Sequence, residues 1–329
     1  MAELGFHQFK KEAKVETFPK DFSDYIKSKG SRYFWAKGNF HVLTKAQDAM
    51  EALKNPVISC DRTSFFLSRM PNIDLSLLQD FFAVVAKMMV MSDGKEHKQR
   101  RFVANKGLSE KLIADYTKKI KPHVHDLITK GRQEDSIEFF SKVSSKLPSI
   151  VLADLFCIPE TDRDKFYEWS GTMTGFFGGG SNYENTDAIR VNKAAKNLKE
   201  YFQNLLEKRK KKPEKDFFTG MLEASGRFDL SDSELISQAV MMLVAGQVTT
   251  ADQINNILFL LMTNPGVYQK ISQDNSLIHF LFLDLKKFYC PLSRVEKALV
   301  YSHLQTTISL KSIHSKPKKV INKFSIRNP

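Results

Sequence analysis

Apolar residues recur at three- and four-residue steps through most of the chain, the period of amphipathic helices, and only near the start do they favour short extended runs. Tyr33-Phe34-Trp35 and Phe40-His41-Val42-Leu43 flank Lys37-Gly38-Asn39, which predicts a small hairpin with its turn at the glycine. Ala46 to Leu53 predicts a helix that ends before Pro56, because the residue preceding a proline is pushed out of the helical region. Helical period then runs through Leu112 to Ile128, Ser136 to Phe156 and Ala188 to Glu207, with breaks at Pro159 and Gly178-Gly179-Gly180. The best-marked helix opens at Ser231-Asp232-Ser233-Glu234, a capping box in which serine and glutamate satisfy exposed backbone amides reciprocally, and closes at Asn264-Pro265. No repeat, low-complexity run or Gly/Ser/Pro linker divides the chain, so one mainly α domain over 1–329 is expected.

Two segments interrupt this helical regularity with chemistry. Ala245-Gly246-Gln247-Val248-Thr249-Thr250 puts small and β-branched residues at the centre of a long helix, where propensity does not favour them. Gly246 lets another body approach the backbone, and Thr249 can aim its hydroxyl at the carbonyl four residues back or at a ligand beside the helix. Upstream, Asp93-Gly94-Lys95-Glu96-His97-Lys98-Gln99-Arg100-Arg101 places His97 and Arg101 four apart, on one helix face, where two cationic donors can clamp a carboxylate. Structural readings stand beside both: a slightly bent core helix, and two solvent-facing side chains.

Together the segments carry a resemblance. The first resembles the central helix of the cytochrome P-450 superfamily, with its small residue, glycine, any residue, acid and threonines. The second, with Phe102 and Gly107-Leu108-Ser109 after it, resembles that family's His-x-x-x-Arg element. Phe288-Tyr289-Cys290-Pro291-Leu292-Ser293-Arg294-Val295 resembles the stretch following its Glu-x-x-Arg helix. His41-Val42-Leu43, Asp48-Ala49-Met50, Cys60-Asp61-Arg62 and Asn264-Pro265-Gly266 fall in the same order. The resemblance implies a mainly α cytochrome P-450 fold with small β elements, haem b as cofactor, and insertion of oxygen into an apolar small molecule, a polyketide or similar metabolite. It implies electrons from a ferredoxin or flavodoxin. His97, Arg101 and Arg294 would hold the haem propionates, Ala245 and Gly246 would make room for the haem face, and Thr249 would serve catalysis beside bound oxygen. Phe176-Phe177-Gly178-Gly179-Gly180 lies where the family has a mobile lid.

The same resemblance marks departures. Val248 stands at the acid's position, so no proton relay through that residue is expected, and a water chain past Thr249 or Gln247 could substitute. Asp284 and Lys287 replace the Glu-x-x-Arg pair, and a lysine lacks the guanidinium's fork. Residues 277–329 read as a degraded or divergent tail, in which 315–329 faintly resembles the segment before the family's cysteine loop. The glycine-framed loop carrying the iron's thiolate is absent, so the fold is expected to be incomplete at its C-terminal end, with no metal ligand, doubtful haem binding and no turnover.

Composition narrows the picture further. Hydrophobic residues make up 42% and charged residues 26%, ordinary for a globular chain, while 26 phenylalanines suit a deep core, the favoured reading, or an apolar ligand cavity. Cys60, Cys157 and Cys290 have neither zinc-site nor disulfide spacing. The N-terminus carries no signal-like run, and polar residues interrupt the apolar stretch Ala239 to Met262, so a cytoplasmic protein without a membrane partner is expected. A net charge of +13 attracts nucleic acid, anionic membranes and acidic proteins alike. The alternative function is therefore a non-catalytic basic helical protein using Lys208 to Lys212 and the lysine-rich tail. No helix gathers those charges on one face with aromatic residues between them, so nucleic acid is not an expected partner.

Overall fold

The computed structural model describes residues 24–276, apart from 26, 36–39, 64–66, 68–69, 71, 134–135, 178–182 and 275, together with 307–309. Arg294, the 277–329 tail except its strand Thr307–Ser309, and the Gly178-Gly179-Gly180 break therefore lie outside the described residues. Chain proximity divides the molecule into two compact units, Met1–Ile58 with Ile254–Pro329, and Ser59–Gln253. The second boundary falls inside one continuous helix, not at a linker.

In the first unit, β1 (Arg32–Trp35) and β2 (Phe40–Leu43) pair antiparallel with Tyr33 opposite Val42, forming the expected hairpin. Helix α1 (Ala46–Lys54) follows, tied to β1 by the Arg32–Asp48 ion pair at 2.9 Å.

The larger unit is almost wholly helical: α2 (Gln79–Val85), α3 (Gly94–Gly107), α4 (Glu110–Gly131), α5 (Leu147–Leu155), α6 (Arg163–Phe177), α7 (Asn185–Lys211) and α8 (Phe217–Ser225). Helix α9 (Asp232–Thr263) starts there, and α10 (Pro265–Gln273) follows it after the Asn264-Pro265 stop. The expected helix from Ser136 to Phe156 is corrected. Ser136–Glu138 is a strand paired with Arg132–Gln133, a π turn spans Phe140–Ser144, and α5 begins afresh with Pro148 in its first turn. Ile137 is buried between two half-buried neighbours, an alternation that the strand satisfies, and a proline lacking its N–H fits a helix start better than a helix interior.

Helix α7 buries Ala188, Val191, Ala195, Leu198, Phe202 and Leu206, one stripe at helical spacing, against α2 and α6. Phe81, Phe156, Phe166, Phe202, Phe217 and Phe218 are all fully buried, so the phenylalanine excess does fill a core. Phe156 meets Phe202 and Phe217 edge-on at 5.1 and 5.0 Å, the arrangement favoured by ring quadrupoles. No described helix is long and apolar enough to cross a membrane.

Candidate functional site

The α3 segment starts at Gly94, whose φ of +56° places it in the left-handed region that a glycine adopts without strain. Before it, Asp93 turns its carboxylate to the Cys60 backbone N–H at 2.9 Å and to the Ser59 hydroxyl. These hydrogen bonds, the serine's foremost, hold the carboxyl below its ordinary range. His97 is half-buried, and its Nδ1 lies 2.9 Å from the Met89 carbonyl. A carbonyl only accepts, so Nδ1 carries the proton and Nε2 is left for another partner. Arg101, one turn on, is exposed and makes no hydrogen bond or ion pair among the described residues.

Arg100 does the opposite of its neighbour. It is 7% exposed, and its guanidinium meets Glu234 Oε1 at 2.9 Å and Glu96 at 3.2 Å. Burial pushes the Glu234 carboxyl up, but hydrogen bonds from Ser231 and Arg100 outweigh it and leave the group below its usual value. Glu234 also completes the expected capping box, accepting from Ser231 N–H at 3.0 Å while its own N–H donates to Ser231 Oγ at 3.3 Å. One turn later Gln238, fully buried, accepts from Met89 N–H at 2.8 Å and donates to the Lys87 carbonyl at 2.7 Å. The Met89 residue thus links His97 on α3 to Gln238 on α9, one through its carbonyl and the other through its amide.

Further along α9, Ala245, Val248 and Thr249 are exposed, Val248 by 44%, in a helix whose preceding turns are enclosed on all sides. Thr249 Oγ1 donates to the Ala245 carbonyl at 2.6 Å, the back-bond that its position allows, and retains lone pairs that can accept. The space beside Gly246 is taken by α5. A Cβ there would lie 3.1 Å from Leu152 Cδ1, so this glycine makes room for a neighbouring helix. Gln247 is also committed. Its Oε1 accepts from Ser170 at 2.8 Å and its Nε2 donates to Ser149 at 2.9 Å, which corrects the expected water route past that amide. Asp252, half-buried three residues after Thr249, has its carboxyl pushed up by burial.

The structure therefore brings His97 and Arg101 onto a helix fastened to the one that carries Ala245, Gly246 and Thr249. The sequence reading missed the fastenings by Arg100 and Gln238, gave Gln247 a water route in place of its two side-chain bonds, and assigned Asp252 no role. A signal for three of them was visible: uncharged amides and an acid set inside an apolar helical run need a local partner or a function. Cys157, Glu214 and Asp216 could approach a common ion, with ligand atoms within 4.8 Å of one another. The buried Arg209 already holds both carboxylates, at 2.6 Å to Asp216 and 2.9 Å to Glu214, and a guanidinium there disfavours a cation.

Comparison with known proteins supports the resemblance. The cytochrome P450 family profile matches residues 182–278. A cytochrome P450 of Bacillus subtilis (strain 168) is 24% identical over 258 residues, 78% of this chain and 61% of the relative. The biotin biosynthesis cytochrome P450 of the same organism is 26% identical over 207 residues, 61% of this chain and 50% of the relative. The vitamin D(3) 25-hydroxylase of Pseudonocardia autotrophica is 24% identical over 259 residues, 78% of this chain and 60% of the relative. Among solved structures, P450BioI, crystallised with acyl carrier protein bearing hexadec-9Z-enoic acid, superposes with a TM-score of 0.70 at 22% identity, covering 81% of this chain and 68% of that one.

The chain is similar to cytochrome P450 proteins over most of its described residues. Its mainly helical architecture is the cytochrome P450 fold over the described residues. It spans 50% to 61% of the length of the curated cytochrome P450 relatives just named. The family profile's match over residues 182–278 takes in the whole of α9.

Proposed function

We infer that this chain carries the oxygen-side and propionate-side walls of a haem-dependent monooxygenase site, and that these residues alone do not turn over. The observation that carries the reading is the Met89 link, which ties the helix bearing His97 and Arg101 to the helix bearing Thr249. The donor set fits haem on those two sides. Arg101 is an exposed cation without a partner among the described residues, and His97 in its imidazolium form presents Nε2–H; both suit carboxylates. Ala245 and Thr249 offer an open helix face lined by a methyl and a hydroxyl. The remaining side does not match: none of the three cysteines stands in the family's Phe-x-x-Gly-x-His-x-Cys-x-Gly setting. Arg294 would add a third hold on a propionate.

Haem, when bound with a thiolate, supplies oxygen activation and the electronic push for O–O cleavage. The chain's own contribution is positioning and proton handling. His97 and Arg101 would hold haem, when bound, by its carboxylates. Thr249 Oγ1 can accept a hydrogen bond while its hydroxyl donates to the Ala245 carbonyl. Asp252 is the acid in the segment Ala245 to Gln253, on the same side of the helix as Thr249 by spacing, and burial keeps it protonated to higher pH. It can hold the proton that Val248 cannot. The substrate is an apolar small molecule, such as a polyketide-like metabolite, and the electron donor an acidic ferredoxin or flavodoxin that suits the chain's positive charge.

Titration of the purified chain with haem, followed by its visible absorption, tests this reading. Saturable binding is expected, weakened about tenfold or more in His97→Ala and in Arg101→Ala, since each removes a charge-assisted hydrogen bond. No binding, or binding indifferent to both substitutions, would sink the site assignment. A strong thiolate-type band in the reduced carbon-monoxide difference spectrum would overturn the lack of turnover.

A further inference from the structure

A cleft of about 750 Å³ opens where the end of α3, the start of α4 and α8 meet, within the usual range for small-molecule sites. None of His97, Arg101, Ala245, Gly246 or Thr249 lines it. Two of its lining residues, Gly107 of α3 and Gly220 of α8, let the helices approach closely: a Cβ on Gly220 would lie 3.2 Å from Gly107 Cα. Lys106, Lys111, Lys119, Lys215 and Arg227 line the walls. Among the described residues, none of these five forms an ion pair with a carboxylate.

The cleft's acids behave differently. Asp216 and Glu214 are held by Arg209 at 2.6 and 2.9 Å, and Asp115 by Lys118 at 3.4 Å, so only Glu223 is without a partner among the described residues. The uncompensated charge is thus positive. Three cations are also fixed against aromatic faces: Lys106 and Arg227 over Phe102 at 5.5 and 5.2 Å, and Lys119 over Tyr116 at 4.6 Å. Such contacts hold the charged heads at the wall and reduce the ordering cost of binding. The amino end of α4, capped by Ser109, lies at the rim and adds partial positive charge.

We propose that this cleft binds a soluble small molecule that carries a phosphate or diphosphate group beside a planar or apolar portion. The lysines and Arg227 take the anionic group, and the apolar side chains of Leu112 and Ala224 take the remainder. The proposal is independent of the haem reading and fails or survives separately from it.

Calorimetric titration of the full chain with ADP, and separately with inorganic pyrophosphate, tests it. ADP is expected to bind with a submillimolar Kd and pyrophosphate more weakly. Lys111→Glu and Arg227→Glu should each weaken ADP about tenfold, and affinity should fall with added salt. Lys98→Glu, on α3 outside the cleft, should change it by less than about twofold. Lys111 is exposed and touches no aromatic face, so its variant keeps the test informative if Arg227→Glu misfolds. Absence of saturable binding by either probe, equal weakening by Lys98→Glu, or binding to phosphatidylglycerol vesicles with none to the soluble probes would each overturn the proposal.

Discussion

The two stretches of α9 on either side of Val244 share one helix and little else. From Leu235 to Met241 every residue is buried, polar Ser237 and Gln238 included, and the stretch is fastened by Glu234 to Arg100 and by Gln238 to Met89 and Lys87. From Ala245 to Thr250, Gln247 is buried while Ala245, Val248, Thr249 and Thr250 are exposed. The first stretch locates the helix; the second presents a face. Strong local fastening of one permits weak helix formers and an unmatched acid in the other, because tertiary contacts carry the helix where propensity does not.

The fastened stretch should be the expensive one to damage. Arg100→Ala leaves the partly buried Glu234 carboxylate without its guanidinium, and after allowance for its quarter exposure a loss of about 3 kcal/mol is expected in urea unfolding. That loss should shrink in acid. A carboxyl held low in the folded state contributes stability above its unfolded value, about 4.3, and the contribution disappears as pH falls through the folded value. A loss that persisted undiminished at low pH would mean packing, not charge, is what Arg100 provides.

Gln238→Ala should cost about 2 kcal/mol by stranding the Met89 N–H and the Lys87 carbonyl. It should also weaken haem binding without touching haem, since Met89 positions His97. Unchanged haem affinity in this variant would break the proposed connection between the two stretches.

In the open stretch the sign reverses. Asp252→Asn should raise stability slightly at neutral pH, because burial opposes the carboxylate. A raised folded value imposes its cost above the unfolded value, so the gain should vanish as pH falls below about 3.9. The smallest effects belong to Thr249→Val and Arg101→Ala, each within about 0.5 kcal/mol of the parent in chemical denaturation. A large loss from either would show that the exposed face is structural and that the contrast is false.

Much of the helical layout was legible from local pattern. The capping box at Ser231 and Glu234, the stop at Asn264-Pro265 and the stripe of α7 depend on residues three or four apart, and those distances are set by the helix itself. The strand at Ser136–Glu138 was misread because a short apolar stretch before a helix carries too few residues to separate a period of two from 3.6. At the site, His97, Arg101 and Thr249 were found through motif spacing. Arg100, Gln238 and the two bonds of Gln247 were not, because each takes its meaning from partners that no spacing rule names.

By itself, then, the sequence determined most of the segments that coil, the two ends of α9 and which side chains share a helix face, since these follow from dihedral sterics and nearest-turn contacts. Only tertiary structure decided that of two adjacent arginines Arg100 is buried and Arg101 open, that Gly246 admits Leu152, and that Gln247 is held between Ser149 and Ser170. Arg100 and Glu234 lie 134 positions apart along the chain. Burial and partner choice are properties of where distant segments meet, and a buried polar group is tolerated only where that meeting supplies its hydrogen bonds.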